Sequence, residues 1–311
     1  MDGVLKKVAI GAFLLFLIGV AGNGVLFALG MWNYNNAADY RELSDTYVAK
    51  SAGTKSIDLK ITSGDVRIVR ADVDRPTVRI WRWTTDESLQ QEELISEAVQ
   101  GDVLHLKIGD SWRKANRYLF IPFKHRNNRF EVLLPQAEYE TMVINASSGR
   151  VQAENLEAGV LTARMSSGQF KLENCRASEI AVTADSGSFD MVDCQAAKIS
   201  SWVSVGHARF ENVKGKLDIS SSSGHIDVAM DEILDDVLIR SSSGFADIKI
   251  GHVLTPFRLE ATASTGKLDI ELPQAGQRVH STNSFKGSVG EGEGLLPLVK
   301  VEVSSGKATI R

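Results

Sequence analysis

Residues 147–192 read SSGRVQAENLEAGVLTARMSSGQFKLENCRASEIAVTADSGSFDMV, and in them Gly149, Gly168 and Gly187 stand 19 residues apart. Each glycine follows a serine. After each, apolar residues return at every second position: Val151 and Ala153, Phe170 and Leu172, Phe189 and Met191. That alternation is the pattern of a strand with one buried face. Positions seven, five and three before a glycine repeat it, as Leu161, Ala163 and Met165, then Ile180, Val182 and Ala184. Each repeat therefore holds two strands and two turns. The Ser-Gly corner is one turn, where glycine accepts positive φ and serine bonds nearby backbone.

Outward from this stretch the cassette recurs as SVGHARF at Gly206, SSGHIDV at Gly224, SSGFADI at Gly244, STGKLDI at Gly266 and SSGKATI at Gly306. A degraded copy, FKGSVG, stands at Gly287, and an earlier one, TSGDVRI, at Gly64. From Gly149 onward the glycine spacings are 19, 19, 19, 18, 20, 22, 21 and 19. Hairpins in a meander or sandwich would also supply two strands per repeat. Repetition of like residues favours a solenoid, because aligned parallel rungs stack them ~4.8 Å apart. Asn155, Asn174, Asp193 and Asn212 form such a series, followed by the buried-type Leu156, Cys175, Cys194 and Val213. The expected fold is all-β: a single-stranded, right-handed-type β-solenoid, parallel β-helix-like, with ~19–20 residues per coil over residues 149–311.

Residues 51–148 break the period and read as an N-terminal β cap. Strands are expected near 56–61, 65–70, 77–83, 102–108, 118–123 and 129–134, with one short helix near 87–99 behind a possible Asp86 N-cap. Residues 33–50 are polar and read as a linker. Before them, residues 8–31, VAIGAFLLFLIGVAGNGVLFALGM, carry no charge, and Lys6 and Lys7 precede them. About 20 helical residues span a bilayer. The expectation is a single-pass anchor in the cytoplasmic (inner) membrane, with residues 1–32 as cytoplasmic tip and anchor and the C-terminal domain extracytoplasmic, periplasmic or at the cell surface. A signal peptide cleaved near Ala28-Leu29-Gly30 is the rival reading.

Charged residues make up 24% of the 311-residue chain and hydrophobic ones 43%, which excludes a disordered chain. The net charge of −4 argues against nucleic acid as a partner. Two cysteines, Cys175 and Cys194, make no disulfide framework and read as free buried thiols one rung apart.

The Ser-Ser-Gly-x-apolar-x-apolar cassettes, with an insertion between early strands, resemble the bacterial adhesin-type family with β-strand repeats, a domain of unknown function. The resemblance covers roughly residues 50–311. It implies an extracytoplasmic protein, often behind a single membrane segment, and carries no catalytic or binding residues with it.

One segment stands out chemically. Residues 111–130 hold Arg113, Lys114, Arg117, Lys124, Arg126 and Arg129 without an acid, interleaved with Trp112, Tyr118, Phe120, Phe123 and Phe130. In an acidic protein this is a local field reversal suited to anionic lipid, an envelope polymer or an acidic protein partner. A strand hairpin with core aromatics and a solvated basic loop is the plainer alternative. His207 and His225 follow the glycine on consecutive rungs and should be neighbours, yet two ligands make a weak metal site. Asp227, Asp247 and Asp269 share an outward position, but single carboxylates on strands do not form a calcium loop. The Ser-Gly corners recur too often to be a nucleophile elbow. No catalytic residue, metal or cofactor is assigned. The expected function is a membrane-anchored, adhesin-like scaffold that binds an envelope component or a partner protein. A carbohydrate-active β-helix enzyme and a self-assembling envelope protein are the alternatives.

Overall fold

The alternating apolar residues fold as strands that bury one face. A computed structural model describes residues 41–84, 94–109, 128–251, 255–272, 277–290 and 295–311. By its contacts the chain divides into a unit of Leu43–Arg82 with Glu87–Arg311, which carries the solenoid, and a unit of Met1–Glu42 with Trp83–Asp86.

The described residues form twenty strands. The first seven are β1 (Arg41–Val48), β2 (Ser56–Ile61), β3 (Asp65–Arg70), β4 (Thr77–Thr84), β5 (Ile95–Gln100), β6 (Val103–Ile108) and β7 (Arg129–Leu134). The repeat region supplies β8 (Tyr139–Ala146), β9 (Arg150–Glu154), β10 (Glu157–Met165), β11 (Gln169–Glu173), β12 (Arg176–Val192), β13 (Gln195–Glu211), β14 (Lys214–Met230) and β15 (Val237–Ile250). The last five are β16 (Phe257–Ala263), β17 (Lys267–Leu272), β18 (Gln277–Thr282), β19 (Ser284–Val289) and β20 (Leu298–Ile310). From β12 to β15, and again in β20, one strand runs on through the Ser-Gly corner.

Two parallel ladders result. The strands before the glycines stack as β6, β2, β8, β10, β12, β13, β14, β15, β20 and β16. Those after the glycines stack as β7, β3, β9, β11, then the second halves of β12 to β15 and of β20, then β17. The register is the one the cassettes imply: Phe170 pairs with Phe189, and Gly187 with Gly206. This is a parallel β-solenoid.

Spatial order departs from chain order at both ends. The first coil in the chain, β2 and β3, lies one place in, with β6 and β7 outside it. The last coil, β20, likewise slips between β15 and the β16–β17 coil. Each outermost coil is closed by antiparallel strands: β5 on β6, β4 on β7, β19 on β16 and β18 on β17. The degraded copy at Gly287 is therefore a cap strand and not a coil.

The corner glycines form one column. A Cβ on Gly168 would lie 2.2 Å from the Gly149 carbonyl oxygen, and one on Gly187 2.2 Å from that of Gly168. The same close approach continues through Gly206, Gly224, Gly244, Gly306 and Gly266. Backbone-on-backbone contact at each rung thus requires glycine, quite apart from the φ of +105° at Gly168. Inside, Phe170, Phe189 and Phe210 stack with ring centroids 6.2 and 5.9 Å apart. Leu156, Cys175, Cys194 and Val213 fill the opposite corner, all buried. Both cysteines are free. Contact with the Cys194 thiol, together with burial, pushes the Cys175 thiol well above its ordinary pKa.

Three expectations need correction. The helix near 87–99 is replaced over Ile95–Gln100 by β5, which turns at Gly101 (φ +60°) and pairs antiparallel with β6, Gln100 opposite Val103. Hairpin closure on an exposed ladder edge overrides the local helical pattern, while 85–93 lie outside the described residues. The expected membrane localisation, with its cytoplasmic N-terminus and extracytoplasmic domain, does not stand either. No helix among the described residues is long and apolar enough to cross a membrane, since their apolar residues lie in strands. The run 8–31 on which that reading rested lies outside the described residues. Finally, the polar stretch 33–50, read as a linker, contains strand β1.

Candidate functional site

Of the basic residues singled out at 113–129, only Arg129 is described. It opens β7, is exposed, and pairs in register with Asp65. Arg113, Lys114, Arg117, Lys124 and Arg126 lie outside the described residues, as does the strand expected at 118–123. Phe130, one of the interleaved aromatics, is core: it is fully buried beneath Gly64.

The outward positions are mostly small or charged, and the charges pair along and across rungs. Arg67 bonds Glu154 at 2.7 Å and Glu131 at 3.4 Å, and Lys171 bonds Glu173 at 2.6 Å. The three outward aspartates do not form an unbroken stripe, because β20 places Thr309 between Asp247 and Asp269. Each also has a partner: Asp247 pairs with Arg311 at 2.6 Å and Asp269 with Lys307 at 3.6 Å, while Asp227 lies against the two histidines.

His207 and His225 stack as the rung register requires, with centroids 5.2 Å apart and planes 4° from parallel. One carboxylate serves both: Asp227 lies 3.2 Å from His207 Nε2 and 2.8 Å from His225 Nε2. Among the described residues no group of three His, Cys, Asp or Glu side chains is placed to hold a metal ion.

The row does not end at the histidines. Phe245 continues it one rung on, 5.9 Å from His225, and is 56% exposed. Around the same corner Trp202 and Val205 are 49% and 53% exposed. Their rung neighbours are small: Thr183 and Ser220 flank Trp202, and Ser186 and Ser223 flank Val205. Trp202 and Val205 therefore stand proud of a surface that is otherwise serine and threonine. Sequence reading of the histidines alone missed Trp202, Val205 and Phe245. A signal was present, since SVGHARF is the cassette that carries Val where its neighbours carry Ser before the glycine.

A second region lies at the opposite corner, where Asn155, Asn174, Asp193 and Asn212 all adopt the left-handed conformation with φ between 51° and 56°. Short polar side chains tolerate that conformation by bonding locally. Asn174 Nδ2 donates to Asn155 Oδ1 at 2.5 Å, so side chains of this series bond from rung to rung at these two coils. A hollow flanks it on each side. One, of about 360 Å³, is lined by Arg70, Gln136, Asn155, Glu157, Asn174 and Arg176. The other, of about 590 Å³, is lined by Gln152, Glu154, Asn155, Glu173, Asn174 and Asp193. Beside the first, burial pushes the Tyr139 hydroxyl up to about 12 against the opposing charge of Arg70.

No curated protein matches the chain. Among solved structures, a candidate cell adhesion protein of Clostridium sporogenes is 11% identical, over 87% of this chain and 99% of that one, with a TM-score of 0.33. A candidate adhesin of Bacteroides fragilis is 13% identical, over 87% and 97%, at 0.43. A candidate lipid binding protein of Parabacteroides distasonis is 14% identical, over 86% and 97%, at 0.44. The family description of Toastrack DUF4097 matches residues 54–311, the whole cassette region with its N-terminal cap, and the chain belongs to that family.

Proposed function

We propose that the protein is a non-catalytic, adhesin-like scaffold whose solenoid holds a protein partner on the patch formed by Trp202, Val205, His207, His225 and Phe245. The observation that carries this reading is the break in character of the outward columns at β13–β15. Elsewhere the rungs present mostly small polar residues and paired charges, which water solvates well, with Val160 of β10 a lone exception at 37% exposure among the described rungs. Here Trp202 and Val205 on β13 and Phe245 on β15 are each more than 40% exposed, with His225 of β14 between the two coils. Aromatic anchors ringed by polar residues are the composition of interface centres. The stacked imidazoles extend the flat rim and offer ring edges as donors and acceptors. A long, regular framework favours this role, because it fixes the spacing of the anchors without moving parts.

The test is photo-crosslinking from Ser243, beside the patch, in the full chain in its native cells, with and without Trp202→Ser plus Phe245→Ser. The reading expects a discrete protein adduct that the double substitution removes while the unfolding midpoint stays within a few degrees. The same adduct in both forms would sink it.

A further inference from the structure

We propose that the hollow between Arg70, Gln136 and Arg176 binds a carboxylate-bearing sugar unit of an anionic polysaccharide. It is a second site, at the corner opposite the aromatic patch, and it goes beyond the scaffold reading.

The lining decides the class of ligand. All six residues around the hollow are polar or charged, with no aliphatic or aromatic side chain among them. An acyl chain or an apolar peptide has nothing to bury against there. A polyhydroxylated ligand does, because amides and guanidiniums supply directional donors and acceptors. A volume of about 360 Å³ lies at the lower end of small-ligand sites, enough for a sugar unit.

The charges then select within that class. Glu157 holds one guanidinium nitrogen of Arg70, but Arg70 Nε is buried with no hydrogen-bond partner. A buried guanidinium donor left unpaired is costly, so Glu157 alone does not satisfy Arg70, which keeps hydrogen-bonding capacity for an anion at this wall. Arg176 opens β12 on the facing rung, is exposed, and has no ionic partner among the described residues. Two guanidiniums against one carboxylate leave the hollow with a net positive charge. Arg presents a planar fork that matches a carboxylate through two parallel bonds. Across the Asn ridge the larger hollow carries Glu154, Glu173 and Asp193. An anionic chain is therefore repelled from one side of the ridge and held on the other. The ridge supplies the neutral contacts: both asparagines are exposed, and the bond from Asn174 Nδ2 to Asn155 Oδ1 leaves the Asn155 amide donor and the Asn174 carbonyl acceptor for sugar hydroxyls.

The experiment is calorimetric titration of the full chain with galacturonic acid oligomers, with neutral galactose oligomers of equal length, and with inorganic phosphate. Saturable binding of the galacturonate oligomer is expected, with the neutral oligomer at least about tenfold weaker, the scale of a lost charge-assisted contact. Phosphate should not displace the uronate at equal concentration. Arg176→Gln should weaken uronate binding by about tenfold or more with the unfolding midpoint unchanged. Trp202→Ser should leave it as it was, which separates failure of this site from failure of the scaffold reading. Should Arg176→Gln disturb the fold, Gln136→Glu places a repelling charge on the other wall and should have the same effect. Equal binding of the neutral oligomer, full displacement by phosphate, or unchanged affinity in either variant would overturn the proposal.

Discussion

The middle of the solenoid and its two ends use the same cassette in different ways. From β8 to β15, each coil lies next to its neighbours in sequence, and side chains 19 or so residues apart stack in register. At the ends the chain folds back. A later coil is laid outside an earlier one at the N-terminal end, an earlier one outside the last at the C-terminal end, and antiparallel strands close both. The difference shows what limits a repeat. Parallel stacking propagates on its own but leaves unpaired strand edges, and an open edge recruits other chains. Placing a non-terminal coil outermost anchors its strands on both sides in sequence. The added antiparallel strand then carries charge, as Lys286 of β19 does in its bond to Glu260 at 2.7 Å. This arrangement weighs against end-to-end self-assembly as the principal role.

The sharpest way to break the comparison is at glycine. Gly168→Ala should abolish folding or cost about 4 kcal/mol or more, because positive-φ strain adds to overpacking against rigid backbone. Gly101→Ala in the N-terminal cap also has a positive φ, but at +60° it lies in the left-handed region open to other residues, and no atom lies within 4 Å of the added Cβ. Its cost should be about 1 kcal/mol, the backbone term alone. Urea unfolding of both variants checks this; equal losses would show that the column contact is not what requires glycine. Next in size is Phe189→Ala, in the middle of the phenylalanine stack. It should cost about 3–5 kcal/mol by cavity formation. Phe285→Ala in β19, only partly buried, should cost far less in the same assay.

Most of this middle was legible in the sequence. The cassette glycines, the alternation on either side and the Asn155–Asn174–Asp193–Asn212 series all report local geometry that each rung repeats. Strands at 56–61, 65–70 and 129–134 were legible for the same reason. The order swap was not, because β2 pairs equally well with β6 or β8 as far as its own alternation goes, and what decides is which edge remains open. Nor was β5, whose Ile95, Ala98 and Val99, with Leu94 just before them, fit a helical face as well as a hairpin edge. Of the sites, the stacked histidines followed from register. The aromatic patch needed the structure, because Trp202 and Val205 are exposed by the small size of their rung neighbours and Phe245 meets His225 only between coils. The Arg70–Arg176 hollow needed it more, since those residues are over 100 positions apart.

Smaller effects sharpen the contrast between ends and middle. At the N-terminal end Glu97 receives hydrogen bonds from Tyr47 Oη at 2.6 Å and from the Lys50 and Ser51 amides at 2.9 and 3.1 Å. Burial opposes its charge, but those donors win and its pKa is lowered. A carboxylate with a depressed folded pKa stabilises the fold above its unfolded pKa, near 4.3, and loses that contribution as pH falls through the folded value. Glu97→Gln should therefore lower stability by about 1 kcal/mol at pH 7 and leave the wild type and variant nearly equal at pH 3. A gap that persists at pH 3 would assign the effect to shape and not charge.

In the middle the opposite sign is expected at serine. Ser221 and Ser241 sit between Val203 and Val303 in one buried column, and their hydroxyls have no hydrogen-bond partner. An unpaired buried hydroxyl costs about 1–3 kcal/mol, and its removal recovers that cost less the packing lost with the oxygen atom. Ser241→Ala should thus raise stability by some tenths to about 1 kcal/mol. The same coil supplies the control. Ser243 of the same strand is exposed at the corner, where water satisfies its hydroxyl, so Ser243→Ala should change the unfolding midpoint by less than Ser241→Ala does. If Ser241→Ala destabilises instead, the column is held by that hydroxyl, and the apolar stacking read from the cassettes is incomplete at these two rungs.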